Sequence, residues 1–120
     1  MPENRIVRCM ALDKMMIAAL SSQVLNSMRT RNLKEKSITE FERYGIRRIL
    51  IYFEKNEWVF YSRDAVWDFV LQERARMESG QLPAYQWAHT RRAAVYLEQM
   101  AEHGATQEVP LPKWEDENKG

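Results

Sequence analysis

Ser37-Ile38-Thr39-Glu40-Phe41-Glu42-Arg43-Tyr44-Gly45-Ile46-Arg47-Arg48-Ile49-Leu50-Ile51-Tyr52-Phe53 is the stretch that decides the fold class. Ser37 and Glu40 have the S-x-x-E spacing of a capping box, in which serine oxygen and glutamate carboxylate satisfy each other's orphan amides. The pair predicts a helix from about Ile38 to Lys55. Phe41, Gly45, Ile49 and Tyr52 then fall on one line, with Ile46, Leu50 and Phe53 beside it. A step of about 100° per residue puts Arg43, Tyr44, Arg47 and Arg48 on the other side, with Glu40 and Glu54 among them. One face is therefore expected to be buried and the other basic, with one aromatic. Such a face suits solvent, with its arginines paired to Glu40 and Glu54. It suits the phosphate backbone of a duplex equally well.

On the N-terminal side, Arg29 to Lys36 is a polar, basic connector with a single Leu33. Before it, Ile6, Met10, Ile17, Leu20, Val24 and Met28 recur at helical spacing and predict a helix over 6–28; Ser21-Ser22 marks a point where a second helix could begin. Its methionines pack adaptably, either in the core or in self-association. On the C-terminal side, Asn56-Glu57 ends the central helix. Trp58-Val59-Phe60-Tyr61 reads as an extended connector laid over the core, without a strand partner. Ser62 is an N-cap and Asp64 suits the first turn. Val66, Phe69, Val70, Glu73 and Met77 trace the next helix, which Ser79-Gly80 stops. The last begins near Pro83. Tyr85, His89, Ala93, Tyr96, Leu97 and Met100 form its apolar side, Arg91 and Arg92 lie away from the centre of that side, Trp87 points outward, and Gly104 ends it. Val109-Pro110-Leu111-Pro112-Lys113-Trp114 follows as a proline-stiffened extended segment. The sum is four or five helices with short connections, an all-α bundle.

Composition narrows the function. A chain of 120 residues with net charge +1 has no bulk charge to select a partner, but between Arg29 and Arg48 seven Lys/Arg face three acids. The end from Glu108 is acidic instead. The single Cys9 excludes an internal disulfide and fits a reducing cytosol. With only His89 and His103, no Cys/His zinc set is expected, and no glycine-rich phosphate loop or other cofactor motif stands out. No apolar run is long enough to span a bilayer, so no membrane is expected.

Two of these helices carry a family likeness. The stretch from Ser37 to Phe53 resembles the second helix of the core-binding domain of tyrosine recombinases, the phage-integrase family, with Ser37, Thr39, Tyr44, Arg47 and Phe53 at its characteristic places. Tyr85-Gln86-Trp87-Ala88-His89-Thr90-Arg91-Arg92-Ala93-Ala94-Val95-Tyr96-Leu97 looks like the fourth helix of that domain. Leu111-Pro112-Lys113-Trp114-Glu115 is similar to the segment that leads to the catalytic domain in some of these enzymes. The resemblance covers about Ala11 to Glu115. It implies a four-helix orthogonal bundle of the SAM-like type at 11–104, a flexible N-terminus at 1–10, and a linker at 105–120. It also implies a bacterial or phage-derived cytoplasmic protein.

The function so implied is that of a DNA-binding half-clamp on a recombination site, with double-stranded DNA and the catalytic domain of the same parent protein as partners. The DNA-facing residues would be Lys34, Lys36, Ser37, Thr39, Arg43, Tyr44, Arg47 and Arg48 from the second helix, and Gln86, Thr90 and Arg91 from the fourth. Thr39 and Tyr44 would donate to phosphate oxygens, contacts that position without reading sequence. Arg47 or Arg91 would reach a guanine edge. Cleavage in the family belongs to a separate domain, so this chain is expected to be no enzyme. His89-Thr90-Arg91-Arg92 matches the family's catalytic H-x-x-R spacing, but inside a helix of the wrong domain, and is read as coincidence. The alternative is a helical protein-interaction or self-association domain without DNA binding.

Overall fold

The computed structural model describes residues 15–106. The N-terminal half of the predicted first helix and the proline-stiffened segment after Glu108 lie outside them. Among the described residues there are four helices and no sheet. Helix α1 is Ile17–Thr30, and it runs without a break through Ser21-Ser22. Helix α2 is one continuous helix over residues 35–55 in three parts: Glu35–Phe41, a π-helical turn Glu42–Ile46, and Arg47–Lys55. Helix α3 is Arg63–Glu78 and α4 is Ala84–His103. The all-α bundle read from the sequence is what the chain forms.

The core draws on all four. Leu20, Val24 and Met28 of α1 meet Ile38, Phe41, Ile46, Ile49 and Phe53 of α2, Val66 and Val70 of α3, and Trp87, Ala93, Tyr96 and Leu97 of α4. Most of the predicted apolar line on α2 is therefore buried, although Leu50 and Tyr52 stay half-buried at its edge. Trp87 corrects the sequence reading. It is not outward but 1% exposed, and its indole N–H donates to the Val70 carbonyl at 3.2 Å, tying α4 to α3. A buried indole needs such a partner.

The ends of the helices follow local chemistry, with one exception. Ser62 caps α3 by accepting from the Ala65 amide at 3.2 Å, and Gly104 ends α4 in the left-handed conformation at φ 73°. Pro83 takes the N-cap position of α4. The exception is α2. Its N-cap is Lys34, with no side-chain cap, and Ser37 sits three residues inside the helix. The capping box does not form, because the helix starts within the polar connector, and Glu35 supplies the favourable first-turn acid instead. The connector shrinks to residues 31–34, with Asn32 at φ 59° making the bend.

Trp58–Tyr61 is extended as expected, and Trp58 packs edge-on against the core residue Phe53 at 5.7 Å, but the segment also has a partner. Ile17 N–H donates to Val59 O at 2.9 Å, Tyr61 N–H donates to Met15 O, and Met16 and Phe60 form an isolated antiparallel bridge. Trp58, Val59 and Phe60 remain 43–52% exposed. At the other end of the described chain, Thr106 is buried and its hydroxyl bonds to Ser27 at 2.8 Å, pinning the exit of α4 to α1. None of the helices among the described residues is long and apolar enough to cross a membrane.

Candidate nucleic-acid interface

The π turn is where α2 meets α4. Arg47 N–H donates to the Glu42 carbonyl five residues back, which widens the helix by one residue at this point. Gly45 lies in the widened turn against the α4 backbone. A Cβ on it would stand 2.6 Å from the His89 carbonyl oxygen and 3.1 Å from Ala93 Cβ. Only a hydrogen fits there, so glycine lets the two helices touch. Beside this contact the Thr90 hydroxyl donates to the Tyr44 carbonyl at 3.0 Å, with Gln86 O as a second acceptor at 3.1 Å. The seam is closed by side chains: Tyr44 packs edge-on against Tyr85 at 5.3 Å and stacks with the His89 ring at 6.2 Å.

What stays open beside this seam, on the outer side of α2 and at the start of α4, is basic and aromatic. Arg43 and Arg47 are exposed, and Tyr44 is half-buried. The Arg43 guanidinium lies 5.9 Å from the Tyr44 ring centroid, and Arg47 reaches Glu42 at 3.4 Å with most of its side chain in solvent. Tyr85 is 53% exposed. Lys34, Lys36, Ser37 and Thr39 are exposed at the start of α2, with the Thr39 hydroxyl donating back to Glu35 O at 2.9 Å. Lys36, Glu40, Arg43 and Arg47 thus make one outward stripe, interrupted by a single acid.

Four of the sequence candidates, Thr90, Arg48, Gln86 and Arg91, lie apart from these exposed groups. Thr90 has no exposed surface, and its hydroxyl is used within the fold. Arg48 turns toward α3, where one nitrogen lies against Glu73 Oε1 and another donates to Gln86 Oε1 at 3.0 Å. Burial, then the neighbouring Arg76, lower its pKa. Gln86 is half-buried and holds Arg48 rather than pointing out. Arg91 is half-buried too, and helical arithmetic sets it about 120° around α4 from Tyr85. The acids that neutralise the basic face are Glu42 and Glu73, where Glu40 and Glu54 were expected.

Tyr85 is the seam residue that sequence reading missed. It was placed on the apolar side because it is four residues before His89. It lies in the first turn of α4, where the helix end projects beyond the core. His89 itself is 8% exposed; burial, then Arg92, hold its pKa below the usual value, against a smaller upward pull from Glu40. It is a neutral packing residue. No protein-family model, curated protein or solved structure matches the chain.

Proposed function

We propose that this chain is a duplex-DNA-binding module that uses the α2/α4 seam, as the resemblance to a recombinase core-binding domain of SAM-like type implies. The observation that carries the reading is the seam itself. Arg43, Arg47 and Lys36 project from a helix whose position is fixed by the Gly45–His89 contact, with Tyr44 beside the Arg43 guanidinium and Tyr85 against Tyr44. A rigid helix fixes the spacing of the cations that meet phosphates, and tyrosine hydroxyls donate to phosphate oxygens. Arg48, Thr90 and Gln86 build the seam rather than contact DNA. In a recombinase the cutting would fall to a following catalytic domain of the same cytoplasmic protein.

With Lys34, Lys36, Arg43 and Arg47 as the cations, about four phosphates are neutralised, so log K should fall with log salt at a slope of roughly −3 to −4. Fluorescence anisotropy of a labelled duplex across a salt series measures this. Replacing Arg43 and Arg47 with glutamate should abolish binding while leaving the circular dichroism spectrum unchanged. Undiminished binding in that variant would remove the seam from the interface.

A second reading, self-association, is favoured by one observation. Met16, Trp58 and Val59 are exposed around an open groove of about 510 Å³ that also includes Leu50 and Phe53. Light scattering at two concentrations, with and without duplex, separates the readings: a concentration-dependent dimer indifferent to DNA supports the second.

A further inference from the structure

Helices α2 and α3 flank a notch that shares Arg48 with the seam. Arg48, Ile51, Tyr52 and Lys55 line it from α2, and Phe69, Glu73 and Arg76 from α3, enclosing about 210 Å³. We propose that this notch is a binding site for a multiply charged phosphoryl oxyanion, held between Arg48, Lys55 and Arg76.

The argument is one of unbalanced charge and spare donors. Glu73 is 2% exposed and is the only carboxylate lining the notch. Arg48 lies against one of its oxygens, and Arg76 Nη1 donates to the other at 2.8 Å. Both oxygens of the carboxylate are thus engaged by guanidinium groups. With Lys55 the notch holds three cations and one anion, a local excess of two positives. Each guanidinium carries about five N–H donors. Arg48 directs two nitrogens to Glu73 and Gln86, and Arg76 directs one to Glu73. The remaining donors of a planar fork suit a tetrahedral oxyanion. The two arginines also repel across the shared carboxylate, which adds to burial in lowering the Arg48 pKa. An oxyanion bridging them would relieve that repulsion. Tyr52 and Phe69, 4.6 Å apart between ring centroids, form an apolar wall that limits competition from water.

The shared chemistry is a phosphoryl group, whether in a free phosphorylated compound or in a nucleic-acid backbone. Isothermal titration of the full chain with sodium pyrophosphate, at constant ionic strength, tests it. Saturable one-to-one binding is expected. Arg76→Gln and Lys55→Gln, both at exposed positions, should each weaken it by about tenfold, the effect of losing one charged hydrogen bond. The double variant R43Q/R47Q should bind pyrophosphate as the wild type does while losing duplex, so the notch and the seam fail independently. Displacement of pyrophosphate by a short duplex would support the notch with a backbone phosphate as its occupant, and persistence beside the duplex would support it with a free phosphorylated compound. Absence of saturable heat, or affinity unchanged in both the Arg76→Gln and Lys55→Gln proteins, would overturn the proposal.

Discussion

Glu73 illustrates how a single residue ties helices together. It is a carboxylate almost without solvent contact, placed on the buried side of α3 between Val70 and Met77. Such a group is retained only when paired, and here Arg48 and Arg76 pair it. Removing one partner of a buried pair leaves the other stranded. Glu73→Ala leaves Arg48, whose side chain is 19% exposed, without its carboxylate and should cost about 1–3 kcal/mol in urea denaturation, more than removal of the half-buried Glu42 that meets the exposed Arg47. Equal, small losses would contradict the buried pair. The position of Glu73 on the apolar side of its helix was legible from spacing. Its partner was not, because Arg48 lies 25 residues earlier and periodicity assigned it to the solvent side. His89 acts oppositely. Its native pKa lies below the unfolded value of 6.5, so the unfolded chain binds the proton first. Stability is intact above about pH 6.5 and declines as pH falls through the lowered native pKa. His89→Gln should flatten this limb in a series of denaturation curves measured from pH 7.5 to 5.

At the scale of the element, the π turn in α2 determines the site. Gly45 is required by close approach rather than by dihedral angle. Gly45→Ala would press a methyl group on the His89 carbonyl, and should cost about 1–3 kcal/mol by separating α2 from α4. Thermal denaturation measures the loss; a neutral or stabilising effect, as for an ordinary helical Gly→Ala, would contradict the contact. The helix was legible in the sequence, since Phe41, Gly45 and Ile49 mark its buried line, although Tyr52, read on that line, is half-buried and Phe53 beside it is the buried one. The π turn was not, because Gly45 and Ile46 are both apolar and a shift of one residue leaves the pattern intact. The start of α2 was misread for a related reason. Ser37 and Glu40 carry a capping signature, but the helix already begins at Glu35, in the polar connector, and buries Ile38 in its first turns. Trp87 was misplaced by the same limit: a tryptophan one step off an apolar line is buried once α3 closes over it.

At the scale of the molecule, the four helices enclose one core and leave two chemically different surfaces. The seam of α2 and α4 carries cations and tyrosines. The opposite strip, Trp58 to Phe60, is apolar and joined to residues 15–17 by backbone bonds. Among the described residues, helix order and the burial of most of the main apolar lines were expected from spacing, and the number was read as four or five. Which cations would remain open was not, because that depends on the packing of α3 against α2. The net charge of +1 means that whatever affinity the seam has comes from a few local contacts. Amide chemical-shift mapping of the full chain, titrated with a short duplex at low salt, tests this most directly. The account predicts shifts gathered at Lys36, Arg43, Tyr44, Arg47 and Tyr85, with Trp58, Val59 and Phe60 unmoved. Shifts confined to Trp58–Phe60, or none at all, would contradict it.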